Sequence, residues 1–205
     1  MGLISIALAV LCFLIDVSYF MKVWLQTYPY VWGIWKKRRE LHEEVVNYGV
    51  CLPFDIDYMY HMNHAKYLRV FEYSRAIFVG ETGLLPSLLD SARDGKFYVV
   101  SAAVIRYRRQ VRCFERYKIL TKIAYIEGRD YYFEQKMIGL SDDFIKAVMF
   151  VKATFTAKED AIEKLRESGI DTKPFSGPVD EDLRHFIEFN RSSSEKLNPR
   201  HEKGE

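Results

Sequence analysis

Cysteine is scarce: Cys12, Cys51 and Cys113 are the only three in 205 residues. An odd, sparse set is no disulfide framework, and no Cys-x-x-Cys pair suggests a metal. A reducing compartment is the simpler inference. The chain also lacks a glycine-rich phosphate loop, a cluster of metal-ligating side chains, a Ser/His/Asp arrangement and any internal repeat. No metal and no cofactor are therefore expected. Charge of one sign is missing too. The 30 basic residues nearly balance the 28 acidic ones, so no broad basic field argues for nucleic acid as a partner.

One long hydrophobic run is present. Residues 3–20 are almost wholly apolar, broken by Ser5, Asp16 and Ser18. As a helix they would span about 27 Å, close to a thin bilayer core. No Lys or Arg precedes Lys22, and the flank Tyr19-Phe20-Met21 is bulky, so a cleaved signal, and with it secretion, is the weaker alternative. An uncleaved anchor over residues 1–21 is expected. Lys22 and the run Lys36-Lys37-Arg38-Arg39 follow it, which puts the rest of the chain in the cytosol. The short span favours the endoplasmic reticulum. Residues 22–48 are expected to be a juxtamembrane linker, with interfacial aromatics from Trp24 to Trp35 and a charged helix over 36–48.

The pattern beyond it predicts α+β. A first strand covers 49–56 and a long apolar helix runs from about His64 to Glu81. Strands over 97–107, 117–127, 131–139 and 144–155 follow, with turns at Gly128-Arg129-Asp130 and Ser141-Asp142-Asp143. A helix over 157–168, a docking helix over 180–189 with apolar Leu183, Phe186 and Ile187, and disorder from Ser192 complete a C-terminal extension over 159–205.

The most informative stretch is residues 55–75. It reads Asp-x-Asp-x-x-x-His-x-Asn-x-Ala-x-Tyr from Asp55 to Tyr67, then Glu72-x-x-Arg75. This pattern resembles the motif of hotdog-fold acyl thioesterases of the 4-hydroxybenzoyl-CoA thioesterase type. The resemblance covers roughly residues 49–158. The hydrophobic N-terminus and the tail resemble one eukaryotic branch of that superfamily. It implies an antiparallel sheet wrapped around one long central helix, a homodimer, and an acyl-CoA-like thioester as substrate. A non-catalytic acyl-CoA or lipid binder, or a membrane scaffold, is the alternative.

Thioester hydrolysis needs a base or nucleophile and donors for the developing oxyanion. The resemblance puts Asp57 in the carboxylate role; the alternative is a turn or capping residue. Asp55 points to the other face of an extended segment and reads as structural. His61 and Asn63 fit positioning groups, or hydrogen-bonding members of the turn. The start of the helix exposes backbone N–H groups and a positive dipole end, so the amides of His64, Ala65 and Tyr67 are candidate oxyanion donors. Glu72 serves as the catalytic carboxylate in some relatives, but its spacing to Arg75 predicts an internal ion pair. Tyr60 stands where relatives often carry Gly, and Met59 and His64 also depart from related motifs. Tyr60 is expected to line the substrate site. Arg106, Arg108, Arg109, Arg112 and Arg116 form a basic run; Arg108 and Arg109 are the candidates for coenzyme A phosphates, against plain edge-strand protection.

Overall fold

Alternation of buried and half-buried positions in β3 (Arg116–Glu127) and β5 (Ile145–Phe155) flanks a strand, β4 (Asp130–Gly139), that is buried on almost every residue. Such a strand has both faces covered. In the computed structural model, which describes residues 2, 17–32, 34, 39–157, 161–167, 172–175 and 177–197, these strands join β1 (Val45–Val50) and β2 (Tyr98–Tyr107). They form one antiparallel sheet in the order β1-β3-β4-β5-β2. On one face lies the central helix, α2 (His64–Glu81), burying Tyr67, Phe71 and Phe78 with Ile119, Ile123, Phe133, Met137, Met149 and Val151. On the other face lies α5 (Glu181–Lys196), whose Leu183, Phe186 and Ile187 cover Tyr132. This is the hotdog arrangement, and the expected hairpins at Gly128 and at 141–143 close it. Gly128 adopts φ +55°, a region glycine enters at no steric cost.

Several expectations give way. Residues 45–48 are not helical: Val45, fully buried, pairs opposite Thr121, and β1 ends at Val50. Long-range pairing of two adjacent β-branched residues outweighs the local helical charge pattern. The sheet domain thus begins before residue 49, and the expected strand over 49–56 is instead the end of β1 followed by a 3-10 turn (Pro53–Asp55), which Pro53 favours by fixing φ and lacking an N–H. The tail is helical through Lys196, because the packed face of α5 and the Arg191–Glu127 ion pair carry the helix past Ser192.

The end of the expected anchor, residues 17–21, and the first part of the expected linker instead form one docked helix, held by its packing along the central helix. Residues 3–16 of the hydrophobic run lie outside the described residues. Val17–Val31 form α1, which packs along α2. Among the described residues no helix is long and apolar enough to cross a membrane. Tyr19 donates to Glu72 Oε1 at 2.6 Å, and its ring lies 5.9 Å from that of Tyr73. The Tyr30 ring lies over Gly80, where a Cβ would stand 2.5 Å from Tyr30 Cδ2. A second short helix, α3 (Leu85–Arg93), turns back beside α1, and α4 (Ala161–Glu167) closes the end of the domain.

The close approach at Gly80 makes a prediction. Gly80→Ala gains ~1 kcal/mol of helix propensity, yet overpacking against Tyr30 costs about 1–3 kcal/mol. We expect a lower urea midpoint and faster proteolysis between residues 17 and 40. Adding Tyr30→Ala to Gly80→Ala should restore the stability of Tyr30→Ala alone or exceed it.

Candidate active site

The approach to α2 is a closed loop. Isolated bridges join Ile56 to Met62 and His61 to Arg112. The Asp57 amide donates to His61 O at 3.0 Å, and the Tyr60 amide donates to Asp57 O at 3.0 Å. Asp57 Oδ1 accepts the Met59 amide at 2.9 Å and stands 3.8 Å from His61 Nδ1. His61 Nδ1 is also 3.3 Å from Met62 O. The tip residues Tyr58, Met59 and Tyr60 project outward, Tyr60 being 79% exposed. Tyr60 therefore does not wall a pocket in the single chain. It holds φ +61°, a conformation unfavourable for a residue with a Cβ. A glycine, having no Cβ, would hold this conformation without that penalty.

The helix start is capped from within. Asn63 Oδ1 accepts the Ala65 amide at 2.9 Å, and Asn63 O accepts the amides of Lys66 at 2.9 Å and Tyr67 at 3.4 Å. Asn63 is the N-cap. Of the three candidate oxyanion amides, those of Ala65 and Tyr67 are engaged by this cap; His64 N–H alone has no acceptor among the described residues. Asp55 is buried and structural: its Oδ2 accepts the Leu52 amide at 3.0 Å, and its Oδ1 lies 3.6 Å from Lys66 Nζ. Tyr67 packs, its hydroxyl accepting the Val111 amide at 3.2 Å and its ring meeting Tyr107 edge-on. Burial pushes the Tyr67 phenol up to about 12. Tyr107 also meets the ring of His64 edge-on at 5.0 Å, so the end of β2 adjoins the helix mouth.

Asp57 and His61 are thus brought together, and Asn63 and His64, which follow them, form the cap and the first position of α2. Glu72 is not with them: it lies two turns along α2, about 12 Å by helical rise. The expected ion pair within α2 is absent among the described residues. Glu72 turns to the Tyr19 hydroxyl, which that hydrogen bond raises to about 12. Arg75 Nη1 donates to Gln135 Oε1 at 2.7 Å, and burial lowers its guanidinium to about 10. Arg108 and Arg109 both lie over the Phe144 ring, at 4.9 and 3.8 Å, and Arg109 also bonds Asp142 at 3.1 Å.

None of the four principal cavities among the described residues includes Asp57. One, of about 560 Å³, is walled by Glu72, Arg75 and Val79 of α2, Leu85 and Leu88 of α3, and Phe133. Sequence reasoning missed this space, although Leu84, Leu85 and Leu88 at helical spacing after a glycine were its visible signal. No group of three or more metal-binding side chains occurs among the described residues.

Residues 51–183 match the model of the thioesterase-like superfamily. The chain belongs to that superfamily. Within it, the chain is 31% identical over 193 residues to Protein THEM6 of Drosophila melanogaster, covering 94% of this chain and 96% of that one. It is 30% identical over 159 residues to Protein THEM6 of Xenopus laevis, covering 78% and 74%. These are homologues of the branch known as thioesterase superfamily member six, the branch that the two termini resemble. A probable thioesterase from Bartonella henselae superposes with a TM-score of 0.50 at 24% identity, over 57% of this chain and 94% of that one, and shares the fold. The superfamily match starts at Cys51, just after β1, and ends within α5.

Relief of the strained tip is testable. Tyr60→Gly should raise stability by up to about 1 kcal/mol in urea denaturation, because the left-handed conformation no longer carries a Cβ penalty. Tyr60→Ala, which removes the ring but keeps the Cβ, should give no such gain.

Proposed function

We propose that this protein binds acyl-CoA-type thioesters and hydrolyses them at the Asp57 loop. The observation that carries the reading is the Asp57–His61 pair, 3.8 Å apart, in a loop that runs directly into the start of α2, where the His64 amide has no acceptor among the described residues. In this reading Asp57 is the nucleophile or general base. His61 orients it, the His64 amide receives the developing oxyanion, and Asn63 keeps that amide in place by capping the turn. The thioester carbonyl enters beside Tyr107, and Arg108 and Arg109 meet the nucleotide phosphates of coenzyme A.

The site is built by two copies of the chain. β2 is an edge strand that exposes Val99, Val100 and Val104, and among the described residues one side of its backbone has no strand partner. Pairing of two β2 edges would cover this surface and place the second copy along the strand whose end, at Tyr107, adjoins the helix start. The part of the hydrophobic run that precedes α1, residues 3–16, with Lys22 and the cluster 36–39 beyond it, supports a membrane anchor in the endoplasmic reticulum with the domain in the cytosol. Protease added to sealed vesicles should then digest the domain without detergent; full protection would reverse the orientation.

A second reading, a thioester or lipid binder without turnover, is favoured by one observation: Asp57 Oδ1 already holds the Met59 amide, as a plain turn residue would. Asp57→Asn separates the two. Asparagine keeps that hydrogen bond, so the fold should be unchanged by thermal melting. Thiol release from a panel of acyl-CoAs should fall about 10²–10⁴-fold. Unchanged turnover would remove Asp57 from the reaction, and no turnover in the wild-type chain would leave the binding reading.

A further inference from the structure

The cavity behind α1 is chemically unlike a void. Most of its wall is apolar, from Ala76, Val79, Leu84, Leu85, Leu88 and Phe133, and its volume of about 560 Å³ is that of a small-molecule site. Into it faces Arg75. A guanidinium carries five N–H donors, and among the described residues Arg75 is engaged through one hydrogen bond, to the neutral Gln135 Oε1 at 2.7 Å. No carboxylate lies within ion-pairing distance of Arg75 among the described residues, although Glu72 stands one turn away on the same helix. Glu72 is drawn off by the Tyr19 hydroxyl. Removing a charge from water is costly unless an opposite charge meets it, so a guanidinium left this way at an apolar cavity is short of an anion.

The guanidinium is also held still. Gln135, fully buried on β4, donates to Phe71 O at 2.9 Å and to Thr121 Oγ1 at 3.0 Å, and Thr121 Oγ1 lies 2.9 Å from Ser74 Oγ. A donor fork fixed by a buried network loses little freedom when it takes a planar two-oxygen acceptor. We propose that this cavity is a receptor for an aliphatic monocarboxylate, its carboxylate on the free N–H groups of Arg75 and its chain between α1, α2 and α3. Its anchor, Arg75, lies about three turns of α2 away from the Asp57 loop, and the site needs no thioester. It holds whether or not the protein hydrolyses acyl-CoA. Glu72 repels such a ligand, and the Tyr19 hydrogen bond limits that repulsion.

Calorimetric titration of the full chain with dodecanoate, dodecanol and methyl dodecanoate tests this. The acid should bind at least tenfold more tightly than the alcohol or the ester. Arg75→Gln should erase that preference, Leu88→Trp should abolish binding of all three by filling the cavity, and Asp57→Asn should leave all three unchanged. Glu72→Gln should tighten the acid alone, and it serves as the deciding variant if Arg75→Gln does not fold. Equal binding of acid and alcohol, no binding of the acid, a preference that survives Arg75→Gln, or an acid affinity unmoved by Glu72→Gln would each overturn the proposal. Loss of acyl-CoA hydrolysis in Asp57→Asn with dodecanoate binding retained would keep the two sites apart.

Discussion

Gln135 sits fully buried at the middle of the central strand, where an apolar residue would be the easier choice. Its amide receives Arg75, donates to the Phe71 carbonyl and to Thr121, and through Thr121 meets Ser74. An unpaired buried amide would cost about 1–3 kcal/mol, so the helix can occupy only a position along the sheet that completes these bonds. Hydrophobic contacts from Phe71 and Phe78 hold α2 onto the sheet but leave sliding and rotation comparatively cheap. The polar seam removes that freedom. Two parts of the helix inherit its position: the capped start just after the Asp57 loop, and the third and fourth turns, where Glu72 and Arg75 meet the cavity.

Covering layers then specialise the frame. α5 shields the outer face of β4 through Leu183, Phe186 and Ile187 around Tyr132, which is why β4 is buried almost continuously. α1 lies along α2 and supplies Thr27 to the cavity and Tyr19 to Glu72. A chain with the same sheet and central helix but no α1 would leave Glu72 and Arg75 free to approach each other. The same Glu-x-x-Arg spacing would then form an ordinary pair within one helix.

Much of the architecture was legible in advance because it rests on short-range signals. The alternating patterns of β3 and β5, the turn at Gly128 and the break at Gly83 and Pro86 act within a few residues, and they bound these elements close to their observed ends. The N-cap at Asn63 and the left-handed tip at Tyr60 also act within a few residues, yet the motif pattern pointed to Asp57 for capping and to Tyr60 as a wall of the substrate site. The miss at residues 45–48 has the opposite cause. Val45 and Val46 are strand because β3 lies beside them, and no local preference in a charged segment announces that partner.

By itself the sequence determined the class of the fold, the order of the elements from the central helix through β5, and the place of Asp57, His61, Asn63 and His64 at or just before the start of that helix, since contiguous residues write all of these. Only the tertiary structure decided what those residues face. It engaged the Ala65 and Tyr67 amides, separated Glu72 from Arg75, turned Tyr60 outward and opened a cavity whose walls come from residues as far apart as Thr27 and Leu165. The reason is geometric: partners distant along the chain are chosen by packing the whole, and no periodicity within a segment encodes them.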